Sequence, residues 1–220
     1  MRQRRLLVPA TLGVLVLAAL AFAIVASRES SPAGSPAPAV SVPRTTESSV
    51  PSQGGFDGAA LPGSRQAPGF TLTDQYGRRI SLSSLRGGPV VLAFLYARCR
   101  APCVLIAQQI RGALDELGSH PVNVALISAD PAGDTPQAVR RFLASVGLSG
   151  RVHYLTGDAA ALGGVWKAYD VRPAAAGRST FAKFATVRLL DSRGRERVLY
   201  GAEQLTPEAL AHDVGKLQAG

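Results

Sequence analysis

Two unbroken apolar runs constrain this chain most. Val90 to Tyr96 and Val122 to Ile127 are of strand length and show no polar–apolar alternation, the pattern of strands buried on both faces. Between them Ile106, Ile110, Ala113, Leu114 and Leu117 repeat at helical spacing. A strand, a helix and a strand in succession require a crossover that makes the two strands parallel.

The flanking segments extend this core. Phe70 to Thr73 and Arg79 to Leu82, joined through Asp74-Gln75-Tyr76-Gly77, read as a hairpin with a glycine turn. Val139, Phe142, Leu143 and Val146 share one helical face, as do Leu162, Val165, Trp166 and Tyr169, and later Leu210, Val214 and Leu217. Asp134-Thr135-Pro136 and Thr206-Pro207 each place a capping side chain before proline at a helix start, and Asp158 is positioned to cap a third. Thr186 to Asp191 and Arg197 to Tyr200 form a second hairpin around Ser192-Arg193-Gly194. Alternating strands and helices that end in a hairpin and a helix predict an α/β, thioredoxin-like layer fold with an N-terminal β-hairpin.

The chain upstream is of another kind. Leu6 to Ala26 are 21 uncharged, mostly apolar residues behind Arg2, Arg4 and Arg5, enough for a membrane span. Val25-Ala26-Ser27 also offers a signal-cleavage site, but the length of the run favours an uncleaved signal anchor. The N-terminal arginines should stay in the cytoplasm, placing everything after residue 26 outside it. Residues 27–66 hold 6 Pro, 9 Ser and 5 Gly, half of that stretch, and predict a disordered linker with a reach of roughly 35 Å. The expected division is therefore a flank at 1–5, an anchor at 6–26, a linker at 27–66 and the folded domain at 67–220.

Of the net charge of +9, residues 67–220 keep 18 basic against 12 acidic side chains. No basic run or aromatic–basic interleave accompanies that excess, so no nucleic-acid partner is expected. Two Cys and three His exclude a disulfide-rich scaffold and a four-thiolate metal site.

Cys99 and Cys103 fall between the first apolar strand and the helix that follows, where open α/β sheets place reactive groups. A four-residue step in the first helical turn puts their Cα atoms about 6 Å apart, within disulfide range, and lets both sulfurs grip one ion. The helix N-terminus with Arg98 and Arg100 favours a thiolate. Redox chemistry, metal binding and a static disulfide all fit, although so short a loop gains little from a purely structural bridge.

Several motifs then carry a resemblance. Phe56-Asp57-Gly58, Leu61-Pro62, Ala67-Pro68-Gly69-Phe70 through Gly77, the C-x-x-x-C at Cys99 and Cys103, Ser128-Ala129-Asp130-Pro131 with Asp134-Thr135-Pro136, Leu155-Thr156-Gly157, Lys167 to Val171 and Leu189 to Arg195 together resemble the SCO/SenC family over roughly residues 56–212. Members of that family are membrane-anchored thioredoxin-fold proteins that assist copper-site assembly in cytochrome c oxidase. The resemblance implies Cys99 and Cys103 as catalytic and Cu(I)-holding residues. It also implies an oxidase subunit, or another extracytoplasmic dithiol protein, as partner. The C-x-x-x-C spacing separates the chain from C-x-x-C thioredoxins, and the absence of Thr or Ser three residues before either Cys separates it from peroxiredoxins.

The family's third copper ligand is a His eight residues before the Asp that ends the late strand. Counting back from Asp191 gives Lys183, which when protonated has no lone pair. The prolines that usually follow each family Cys are replaced by Arg100 and Val104, with Pro102 between the Cys instead. Arg98, Arg100, Asp130 and Lys183 are thus the expected modulators of the pair, while Asp134 or Thr135 suffices as a helix cap. His153 reads as a strand-edge residue, and His120 and His212 have no evident partner. The expected function is thiol–disulfide exchange with Cu(I) transfer. A non-catalytic Cu(I) metallochaperone and an interaction module with a structural disulfide are the alternatives.

Overall fold

A computed structural model describes residues 54–62, 65–174, 181 and 185–220. Its elements are β1 (Ala59–Ala60), β2 (Thr71–Thr73), β3 (Arg79–Ser81), β4 (Val90–Leu95), α1 (Ala101–Leu117), β5 (Asn123–Ser128), α2 (Pro136–Ser145), β6 (His153–Leu155), α3 (Ala159–Ala168), β7 (Thr186–Leu190), β8 (Glu196–Gly201) and α4 (Pro207–Gln218). A short 3₁₀ turn, Leu82–Leu85, follows β3. The main sheet has the order β1-β8-β7-β4-β5-β6, and β2 pairs with β3 as the expected hairpin. β4, β5 and β6 run parallel, while β7 and β8 are antiparallel additions.

β4 is buried along its whole length because helices cover both faces. Val91, Ala93 and Leu95 face α1, α2 and α4. Val90, Leu92 and Phe94 face α3 and the β2–β3 hairpin. The central strands therefore lack alternation for the reason the sequence suggests. Thr135, Asp158 and Thr206 cap α2, α3 and α4 through side-chain oxygens that accept the N–H of Ala138, Ala161 and Ala209.

Packed structure starts upstream of the expected boundary at residue 67. Phe56 is buried, and β1 pairs with β8 at Ala59↔Leu199 and Ala60↔Val198. The fully buried Asp213 of α4 ties this strap down by accepting the N–H of Asp57 (2.8 Å) and Gly58 (3.1 Å) and the Tyr200 hydroxyl. Burial, then the hydrogen bond and charge of Asp213, push the Tyr200 phenol well above its ordinary value. A Cβ at Gly58 would meet the Tyr200 ring at 2.6 Å, so glycine is required for this close approach. A chain that sinks this way could not be read from local composition, because its partners lie some 155 residues downstream.

At the opposite sheet edge, Thr73 and Thr156 exchange two backbone hydrogen bonds (2.9 and 2.7 Å), laying the hairpin along β6. Among the described residues no helix is long and apolar enough to cross a membrane. The predicted span Leu6–Ala26 and the linker up to residue 53 lie outside the described residues.

Candidate functional site

β4 delivers the chain through Tyr96-Ala97-Arg98 to Cys99, and α1 starts two residues later. Cys99 therefore precedes the helix and does not share its first turn, as the spacing alone suggested. Its N–H donates to the Tyr96 carbonyl (3.0 Å), closing a tight turn. Cys103 is the third residue of α1, behind Pro102. The two are joined as a disulfide with Cα atoms 5.6 Å apart. Arg100 occupies the cap position of α1 and offers no side-chain acceptor, so the positive end of the helix is left facing the sulfurs. Arg98 and Arg100 are both exposed beside it.

The two sulfurs are not equivalent. Cys103 is fully buried and Cys99 retains 6% exposure. Only Cys99 lines the adjacent cleft of about 330 Å³, together with Arg98, Val104, Arg141, Phe142 and Ser145. Arg141, on α2, is a third cation at the site that sequence reasoning missed. Its contribution depends on α2 packing across the Cys turn.

Asp134 differs from its expected part. Thr135 alone caps α2, which leaves the Asp134 carboxyl, 6% exposed, free to reach the Cys turn. It accepts the N–H of Ala97 (2.7 Å), two residues before Cys99, and the hydroxyls of Ser128 (2.6 Å) and Tyr154 (2.7 Å). Burial raises its pKa and outweighs the lowering by the Ser128, Ala97 and Tyr154 hydrogen bonds, with the nearby Asp130 charge adding to the rise. Burial and the Asp134 charge in turn push the Tyr154 hydroxyl well above the ordinary phenol range. The Asp-Thr-Pro string did contain the signal: with two capping side chains and one cap to fill, one is spare.

Asp130 has a local task, accepting the Gly133 N–H (3.1 Å) in the turn that leads to Asp134. Trp166 is half-buried and donates its Nε1–H to the Ser128 carbonyl (2.9 Å), so it is core on one side and polar on the other. Lys183 lies outside the described residues. Phe181, two residues earlier, packs edge-on against Tyr96 with ring centroids 5.1 Å apart.

The three His lie elsewhere, and the Nδ1 of His153 is buried without a hydrogen-bond partner. His120 Nδ1 lies 2.7 Å from the Leu117 carbonyl, His153 Nδ1 lies 3.5 Å from Asp74, and His212 Nδ1 lies 3.0 Å from both Asp57 and Asp213. Among the described residues the donors at the site are thus two sulfurs, which fit Cu(I) once reduced, since soft ligands and low coordination numbers suit that ion. As a disulfide they offer no thiolate.

Comparison with known proteins matches this geometry to one family. The model of SCO1/SenC proteins covers residues 59–219. A protein of Stutzerimonas stutzeri provisionally named as copper-binding is 31% identical over 111 residues, 47% of this chain and 54% of that one. The SCO1 protein homolog of Bacillus subtilis (strain 168) is 29% identical over 82 residues, 36% of this chain and 42% of that one. The chain thus spans about half the length of the curated relatives it matches. Among solved structures, Bradyrhizobium japonicum ScoI with copper bound superposes with a TM-score of 0.53 at 28% identity, covering 69% of this chain and 99% of that one. Apo Sco1 from Thermus thermophilus gives a TM-score of 0.61 at 20% identity over 74% of this chain and 96% of that one, which is a likeness of fold.

Proposed function

The chain belongs to the SCO1/SenC family, and from that premise we propose that it is a membrane-anchored extracytoplasmic protein whose Cys99–Cys103 pair exchanges with a partner disulfide and, in its reduced form, carries Cu(I) during cytochrome c oxidase assembly. The observation that carries the proposal is the disulfide at the β4–α1 junction, buried except where Cys99 meets the Arg-lined cleft. Cys99 is the attacking thiolate and Cys103 the resolving one. Cys99 sulfur attacks one sulfur of the partner disulfide and expels the other as thiolate. Cys103 then attacks Cys99 in the mixed disulfide and releases the second partner thiolate. Two electrons pass to the partner, and the two protons lost by the dithiol end on the partner's thiols. Exchange of this kind would keep the oxidase's copper-site cysteines reduced and ready for metal.

Cu(I) as cargo would sit between the same two sulfurs. Lys183, standing where the family resemblance implies a His, leaves that hold without its nitrogen donor, which weakens copper capture and leaves thiol exchange intact. Leu6–Ala26 serves as the uncleaved anchor, with residues 27 onward translocated.

Redox titration of the full chain with mass-spectrometric counting of alkylated thiols, together with Cu(I) competition against a chelator, tests this. The expected result is a reversible two-electron couple, about one Cu(I) per reduced chain, none per oxidised chain, and loss of both with Cys99→Ser. Tighter Cu(I) binding and new Cu(II) binding are expected for Lys183→His. A disulfide that cannot be reduced without unfolding would overturn the proposal in favour of a structural bridge. The anchor is decided separately by the mass of the native protein, since a mature N-terminus near residue 27 would refute it.

A further inference from the structure

At the end of the sheet opposite the disulfide, a pocket of about 390 Å³ is lined by Phe56, Asp191, Arg193, Arg195, Arg197 and Lys216, with Gly54 at its edge. Asp191 is its one acidic side chain, and both carboxylate oxygens are committed. Oδ1 accepts the N–H of Arg193 (3.0 Å) and Arg195 (2.9 Å), and Oδ2 accepts from Arg195 Nε (2.9 Å) and Arg197 Nη1 (3.4 Å). Arg193 and Lys216 have no ion pair among the described residues; the Lys216 ammonium donates to the Gly55 carbonyl at 3.1 Å. Among the lining side chains positive charge is in excess.

The cations are also held in place. Arg197 is the extra residue of a bulge in β8, where Leu189 pairs with Val198 but Leu190 pairs with Glu196. Arg197 and Lys216 both lie over the Phe56 ring, 5.8 and 5.4 Å from its centre. Such a cradle suits a phosphate, which offers several acceptor oxygens and a negative charge.

Topology selects the source of that phosphate. Asp191 and Ser192 adjoin the start of β4, where Val90 pairs with Leu190 and the Gly87 N–H donates to Ser192, while Cys99 follows the far end of β4. A six-residue strand spans about 20 Å. Gly54, the first described residue, borders the pocket, so the chain enters the domain at this end.

We propose that this pocket binds the phosphate of anionic lipid headgroups, seating the hairpin end of the domain on the bilayer and holding the disulfide about 20 Å further out. The proposal rests on the anchor reading for how the chain reaches the bilayer.

The test uses the full chain in nanodiscs of phosphatidylcholine alone or with one-third phosphatidylglycerol, and reads amine acylation of Lys216 against Lys167, exposed on α3. Lys216 should react about fivefold more slowly in the anionic discs, a difference removed by high salt and by Arg193→Gln, while Lys167 is unchanged. Equal Lys216 rates in both discs would overturn the proposal. Equal protection by inorganic phosphate in neutral discs would also overturn it, assigning the pocket to a free anion. Failure to co-elute with neutral discs would instead refute the anchor, and the Lys216 comparison, repeated with vesicles of the same two compositions, still decides the pocket.

Discussion

The two ends of β4 carry buried carboxyls pushed in opposite directions. At the disulfide end, Asp134 is satisfied by one N–H and two hydroxyls and its pKa is raised. At the hairpin end, Asp191 is just as buried, yet hydrogen bonds from Arg195 and Arg193, with the Arg195 charge, overcome burial and hold it below the ordinary range. Asp74 in the first hairpin repeats this chemistry. Burial raises it, but the Arg78 and Tyr76 N–H groups and the Arg78 guanidinium bring it below its usual value. Asp74-Gln75-Tyr76-Gly77-Arg78 and Asp191-Ser192-Arg193-Gly194-Arg195 are one turn used twice, each with glycine at positive φ (82° and 77°). A carboxyl is thus driven toward its charged or neutral form by how far the donors it accepts, backbone N–H and guanidinium together, outweigh its burial.

The largest break in this contrast is expected from Asp134→Ala. The Ala97 N–H and the Ser128 and Tyr154 hydroxyls would all be left buried without an acceptor, at a cost of about 3 kcal/mol in urea unfolding. A loss under about 1 kcal/mol would mean that Asp134 does not tie down the Cys turn. Asp191→Ala should cost less, about 1–2 kcal/mol, because the released arginines reach water.

The pH dependence sharpens the comparison, and the signs differ. Asp74 and Asp191, lowered in the fold, contribute stability that is present above the unfolded value near about 3.9 and is lost as pH falls through their folded values. Asp134, raised in the fold, weakens stability as pH climbs from the unfolded value through its folded one, and acid relieves it. Acid unfolding followed by circular dichroism should therefore flatten in an Asp74→Asn, Asp191→Asn double variant. An unaltered acid limb would show that the paired carboxylates do not set it. The smallest effect is expected from Arg78→Gln: with its side chain 60% exposed, the Asp74 ion pair is worth under about 1 kcal/mol and should fade in high salt.

The central βαβ unit was legible because its apolar runs are continuous and its helical face is regular. Helix starts were legible wherever Thr or Asp stood before the first turn. What escaped was long-range. Nothing near Phe56 announces Asp213 on α4 or the pocket for its ring under Arg197, so the strap read as linker. The Cys pair could be placed at a strand–helix junction, but not its asymmetry, which comes from α2 leaning over Cys99. The basic pocket at the second hairpin was not legible, because only the fold brings Lys216 and Phe56 beside its arginines.

The strap and the first hairpin have one further consequence. An open sheet exposes two rows of unpaired backbone donors and acceptors to any strand that drifts past, its own copies included. Here the outer edge of β8 is occupied by the two residues of β1 and, at its start, by Arg65 and the Gln66–Arg195 bridge, and that of β6 by the single Thr73–Thr156 bridge. Such short plugs add little cohesion, yet each denies a template for edge-to-edge growth. A chain clipped after Ala60 would keep its disulfide and most of its core, and the stretch of β8 that β1 covers would become a seed for aggregation.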